Sequence, residues 1–285
     1  MLADDMRVTP GKSLFLFVCW WILSTVLGSV IINFLGVDSL VKIRCAVLLQ
    51  DIFLFILPVL LTVALVAVNP MRFLNFSGKV SVRSMLLTLA IVVVAIPAMN
   101  RLVAWNEGIS LPESFSGLEN ILRNSEDTAK ASVQALMGGT TVWDLIISVL
   151  IMGCLTGFAE ELFFRGGLQT LLVKMLKNHH VAIWSAAFIF SAVHLQFYGF
   201  VPRLFMGAFF GYLMWYGGSI WLPMAAHALN NSLVVINNWL VERHVISVNA
   251  DTVGVGDSWT DYIYVLISCA LMAALMYQLF KTGHK

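Results

Sequence analysis

Glu160 and Glu161 stand four or five residues ahead of Arg165 in the segment Gly157-Phe158-Ala159-Glu160-Glu161-Leu162-Phe163-Phe164-Arg165, which is otherwise uncharged. An ionised side chain at the centre of a lipid-embedded helix costs roughly 2.5–3.5 kcal/mol on insertion scales, so such a cluster marks a candidate functional site. On a helix Glu161 and Arg165 share a face and are expected to pair. Glu160 points about 100° away and has no local partner. A carboxylate left free in a wet pocket is what a general base toward water needs. Two further polar groups follow in apolar surroundings: Phe190-Ser191-Ala192-Val193-His194 and His227-Ala228-Leu229-Asn230-Asn231. His227 and Asn231 share a helix face, and a neutral amide beside a histidine suits stabilisation of a tetrahedral oxyanion. Taken singly, each group also fits a structural tie between helices. Their depth favours chemistry. At about 1.5 Å per residue, Glu160 lies roughly 25 Å back from the basic turn at 177–180, and His194 roughly 20 Å forward. His227 and Asn231 lie roughly 12–18 Å from Ser219 by the same rise. Three polar motifs on three spans at one level point to hydrolysis inside a membrane.

The elements that hold these residues are set by composition. The chain of 285 residues is 59% hydrophobic and 12% charged, with mean hydropathy +0.86. Soluble domains carry about 25% charged residues. An all-α polytopic membrane protein follows, with an intramembrane polar cavity. Taking about 20 apolar residues per span, about eight are expected, near 13–35, 45–68, 84–99, 142–176, 180–197, 200–216, 219–241 and 261–280. The third is short, and the fourth is long enough to be tilted or broken at Gly166-Gly167. The run from Ser13 is longer than a signal-peptide core and is taken as a retained span. The chain divides into N-terminal spans and a long polar loop (1–141), a core bearing the three motifs (142–241), and a loop with a last span (242–285). The end of the long loop, Ala129–Met137, is expected to form an amphipathic helix on the membrane.

Lysine and arginine are concentrated on one side of this arrangement, which orients both termini inside. The four cysteines lack paired spacing and are expected to be small buried hydrophobes. The net charge of +1 gives no reason to expect nucleic acid as a partner. The absence of an internal repeat weighs against a transporter built from inverted repeats, the class in which buried Glu and His would relay protons.

Glu160-Glu161-x-x-x-Arg165, Phe190-x-x-x-His194 and His227-x-x-x-Asn231, in this order over roughly 145–237, resemble the three motifs of the CAAX prenyl protease 2 family. Its prokaryotic branch, CPBP or Abi, contains CAAX proteases and bacteriocin-processing enzymes. The resemblance implies an eight-helix intramembrane endopeptidase in which Glu160 and His194 activate water. It also implies that His227 and Asn231 line the oxyanion site, and that Glu161 and Arg165 support the pocket. The expected setting is a bacterial inner membrane, and the expected partners are the lipid bilayer and a membrane-associated peptide or protein substrate. Two catalytic types stay open. A metal-free glutamate mechanism is favoured, so no cofactor is expected; zinc, if used, would take Glu160, His194 and His227 and leave a position for water. The local His-Glu-x-x-His zinc motif is absent. The alternative within the family is a non-proteolytic scaffold or bacteriocin-immunity protein.

Overall fold

The computed structural model describes residues 6–247 and 249–283. Every named element among them is helical, and one isolated bridge joins Met6 to Ala67. The longer helices are α1 (Pro10–Leu35), α2 (Leu40–Val66), α3 (Val82–Val94), α4 (Ile96–Glu107) and α5 (Ser116–Leu136). They continue as α6 (Val142–Leu176), α7 (His179–Ala192), α8 (Phe200–Gly217), α9 (Trp221–Glu242) and α10 (Trp259–Gly283). Polar caps fix several starts. Ser39 accepts from Lys42 N, Ser81 from Ser84 N and Asn178 from His180 N and Val181 N. Thr141 and Asp144 form a reciprocal capping box ahead of α6. Each side chain satisfies backbone donors that the first turn leaves free.

Among the described residues four helices are long and apolar enough to cross a membrane, α1, α2, α6 and α10; the pair α3–α4, bent by 45°, makes a fifth if it is one span. The eight spans expected from the sequence are therefore met only in part. α7 is apolar but has 14 residues. α9 has 22 residues, about 33 Å of helix, but carries His227 and four asparagines. α8 and α9 are interior helices, α8 lying against α7 and α9, and α9 against α6, α3 and α8.

The third span also runs further than 84–99. Pro97 lacks the N–H that would bond one turn back, which explains a bend at Ala95. Ser268 of α10 fills the gap. Its hydroxyl donates to Val94 O at 2.6 Å and accepts from Ala98 N at 3.3 Å, so the bend leaves neither group bare. α6 is not broken at Gly166-Gly167. Instead, two stretches widen to π-helical turns, Val149–Leu155 and Leu162–Gln169, and a third lies in α2 at Asp51–Ile56. The amphipathic helix expected at 129–137 begins earlier, at Ser116, and runs over 21 residues. The cysteines are a correction. Cys19, Cys154 and Cys269 lie on the outside of the bundle, and Cys45 is half-buried. A small apolar residue is as well placed against lipid as in a core.

Contacts sort the turns into two ends. At one end Arg7 N bonds Val66 O at 2.8 Å and Ile220 N bonds Asn75 O at 3.2 Å. At the other, Asn106 donates to Phe197 O at 3.2 Å, Ser125 of α5 to Leu195 O at 3.3 Å, and Arg44 to Gly138 O at 3.2 Å. Of the motif residues, Glu160, Glu161 and Arg165 lie on α6 and His227 and Asn231 on α9, while His194 lies in the turn after α7 beside Leu195 of the second end.

Candidate active site

Glu160 and Glu161 occupy the one narrow stretch, Thr156–Glu161, between the two wide ones of α6. π-helical turns within α-helices recur at functional sites because they turn side chains out of the regular phase. Glu161 is fully buried and Arg165 is 1% exposed. Arg165 Nη1 donates to Glu161 Oε1 at 2.9 Å, and Nη2 donates to Gly207 O of α8 at 2.9 Å. The guanidinium also lies over three rings, Phe190 at 4.8 Å, Phe210 at 5.3 Å and Phe164 at 5.8 Å. A desolvated ion pair is tolerated when hydrogen bonds and ring faces replace water, as they do here. One turn on, Gln169 Nε2 repeats the pattern on Gly211 O at 3.1 Å. Gly211 leaves room for Gln169 in this approach, and Gly207 lets α8 lie close to α7. A Cβ at Gly211 would sit 2.7 Å from Gln169 Oε1, and one at Gly207 3.1 Å from Ala187.

His227, 5% exposed, is the second bond to the same carboxylate oxygen. Its Nδ1 lies 2.8 Å from Glu161 Oε1. A carboxylate accepts, so Nδ1 carries a hydrogen. The ring stacks on Phe210, with centroids 4.8 Å apart and planes at 22°. Nε2 is thereby aimed at Glu160, whose Oε2 is 3.8 Å away. That is beyond a hydrogen bond, and the glutamate makes no other polar contact among the described residues. The cluster of Glu160, Glu161 and Arg165 is one positive charge short of neutral with both carboxylates ionised.

His194 lies just past the end of α7. Its Nδ1 is 2.7 Å from Phe190 O; a carbonyl only accepts, so Nδ1 donates and Nε2 keeps a free lone pair. It is half-buried, and the charges of Glu160, Arg203 and His227 all bear on it. The Phe190 ring links the three motifs, with its centroid 5.1 Å from His194 and 6.0 Å from His227, while Arg165 caps its face. Asn231 is bonded elsewhere. Its amide donates to Met152 O at 3.3 Å, a carbonyl in the first wide stretch of α6, and its oxygen accepts from Asn230 at 3.3 Å. Glu160, Glu161, Arg165 and His227 thus form one cluster with His194 within electrostatic range, and Asn231 is not bonded to it. Sequence reasoning missed Phe210, Gln169 and the two glycines of α8. The four-residue spacing of Gly207 and Gly211 was the available signal.

A zinc centre was the open question for these residues. Among the described residues no three His, Cys, Asp or Glu side chains gather as a metal-binding group. Glu160 and His227 supply two donors, and the third proposed ligand does not join them. The arrangement as it stands does not fit a zinc centre.

A helical bundle with several membrane-length apolar helices and a buried Glu-Glu-Arg-His cluster defines a polytopic membrane protein with a polar interior site. Residues 142–233 match the family described as type II CAAX prenyl endopeptidase, Rce1-like, so this part of the chain is similar to the CAAX proteases. Over 83 residues the chain is 30% identical to the uncharacterized protein YpbD of Bacillus subtilis (strain 168), a match covering 28% of this chain and 39% of that protein. The chain therefore spans well under half the length of this relative. No solved structure matches it.

Proposed function

We propose that the chain is an intramembrane endopeptidase that hydrolyses a peptide bond in a membrane-associated protein or peptide through water activated by Glu160. The observation that carries this is the pairing of Glu160 with His227. A carboxylate without a hydrogen bond faces Nε2 of His227 across 3.8 Å, and that imidazole is pinned from behind by Glu161. In this reading a water held by Glu160 and by the free Nε2 of His194 gives its proton to Glu160 as its oxygen attacks the scissile carbonyl carbon. The protonated His227, flanked by two carboxylates, donates from Nε2 to the oxyanion, with the second amide hydrogen of Asn231 beside it. Glu160 then returns the proton to the departing amine as the C–N bond breaks. The match to type II CAAX prenyl endopeptidases supports peptide hydrolysis as the reaction class. Eight crossings, with α7, α8 and α9 completing the set, and both termini inside a bacterial inner membrane are part of the same reading.

Comparative membrane proteomics of deletion, wild-type and Glu160→Ala strains tests it. The expected result is one or more uncut membrane proteins shared by the deletion and Glu160→Ala strains. Full complementation by Glu160→Ala would instead favour a non-proteolytic scaffold or immunity role.

A further inference from the structure

A cavity of about 640 Å³ lies between the bent pair α3–α4, α8, α9 and α10. That is the size of a ligand pocket. Small side chains at the bend and opposite it, Ala95, Ala98, Ala208 and Ala273, leave the room. Four methionines line it, Met99, Met206, Met272 and Met276, and their flexible thioethers suit a ligand without fixed shape. The polar side chains on its wall are already bonded. Asn100 donates to Ala250 O at 2.8 Å and to Val253 O at 3.0 Å. Asn237 donates to Asn249 Oδ1 at 2.7 Å and to Asp251 Oδ2 at 3.2 Å. Asn230 donates to Asn231 Oδ1 at 3.3 Å, and Tyr212 Oη lies 2.8 Å from His180 Nδ1. Water would find few partners here, so an apolar occupant is favoured.

The outer boundary of the cavity is formed by Trp184, Phe205, Cys269 and Ala273, each exposed on the outside of the bundle. The cavity therefore reaches the surface between α7 and α8 on one side and α10 on the other. Cys269 lies about 15 Å along α10 from its first residue, Trp259. That is half of a hydrocarbon core of roughly 30 Å. At this depth the medium around the helices is acyl chain. Asn100, Asn237 and Asp251 gather toward the second end of the bundle, where Asn106 meets Phe197, so the cavity has a polar rim and an apolar depth. Glu160, His194 and His227 are not among the described residues that line it, and α8 and α9 stand between it and those groups.

We propose that this cavity holds one acyl chain of a bilayer phospholipid, which enters sideways past Cys269 and Ala273 with its glycerol end toward the asparagines. The chain backs the candidate active site without entering it. Phe209 lines the cavity, while its neighbour Phe210 stacks on His227. Asn230 lines the cavity and holds Asn231. A lipid bound here packs against the seam of α8 and α9 on the side away from Glu160.

The test places the protein in vesicles of phosphatidylethanolamine and phosphatidylglycerol, doped with a phosphatidylethanolamine that carries a diazirine on one acyl chain. After irradiation, adducts are mapped by mass spectrometry. The expected result is labelling of Val92 and Ala208, which are 6% and 3% exposed and out of reach of lipid on the outer surface. Ala273→Trp fills the mouth. Labelling of these two residues should then fall about tenfold, while labelling of Phe15, exposed on α1, stays. Adducts confined to outer residues, or inner adducts that survive the variant, overturn the proposal. Circular dichroism checks folding, and Cys269→Phe replaces Ala273→Trp if that variant does not fold. A farnesylated peptide bearing the diazirine is the competing probe. If it labels Val92 and Ala208 where the phospholipid does not, the cavity belongs to a substrate tail and the lipid assignment fails. The readout is binding alone, so it is decided whether or not the chain cleaves a peptide.

Discussion

Glu161 takes two bonds on one oxygen. Arg165 and His227 both end on Oε1, at 2.9 and 2.8 Å, so the residue joins a structural pair to a reactive one. The two adjacent glutamates should therefore answer differently to the same change. Glu160→Gln is expected to abolish turnover and leave the melting temperature near wild type. Glu161→Gln should lose both, because it leaves a buried guanidinium without its counter-ion, at about 3–5 kcal/mol. Peptide cleavage and thermal melts in detergent check this, and a fully stable Glu161→Gln would contradict it. For Asn231→Ala the expected loss in kcat is about 10²–10³ with KM little changed. Metal analysis of purified active protein belongs beside it. Stoichiometric zinc that disappears in His227→Ala, with inactivation of the wild type by chelators, would replace the glutamate mechanism with a metal one. The Glu161–Arg165 partnership could be inferred because both residues ride on one helix with fixed spacing. The bond from Asn231 to Met152 could not, because it depends on a widened turn in another helix.

The approach of α6 to α9 is made by small residues. A Cβ on Gly153 would lie 2.2 Å from Ser232 Oγ, and one on Gly157 would lie 3.0 Å from Ala228 N. Gly153-x-x-x-Gly157 thus faces Ala228-x-x-x-Ser232, the small-residue packing that lets membrane helices come close. Glu160 and His227 flank this contact, so its spacing sets theirs. Gly157→Val should push α9 away and reduce cleavage much as loss of His227 would, even though it removes no polar group. Cross-linking of paired cysteines across α6 and α9 reports the separation; undiminished activity and unchanged cross-linking would show that the contact is slack. Ser268→Ala tests the α3–α4 bend. It leaves Val94 O and Ala98 N without their bridge, at about 1–3 kcal/mol, read as a lower melting temperature. Here the sequence showed a fourth span too long for one perpendicular crossing, to be tilted or broken at Gly166-Gly167. The break is absent, and the helix instead carries wide turns that no residue type specifies.

At the scale of the molecule, both ends of the bundle are defined by contacts, but which end faces the cell interior is a prediction. In a variant with its four cysteines replaced by serine, Lys79→Cys should react with an impermeant thiol reagent only after lysis. Glu113→Cys should react in intact cells. The opposite pattern would invert the positive-inside assignment. The all-helical class and the order of apolar segments were legible from composition and run length. The eight spans read from run length are met only in part, because α9 carries His227 and four asparagines and α7 has only 14 residues. The wide turns of α6 carry one more consequence. A turn closed by an i→i+5 bond, as Thr156 N closes onto Ile151 O, holds one residue more than its neighbours. Glu160 and Glu161 lie between two stretches of such insertions, so their rotation about the helix axis is offset from the ends. Removing one residue from the first stretch, Val149–Leu155, would keep every motif residue and yet swing the glutamates away from α9, making the length of this stretch a determinant of activity.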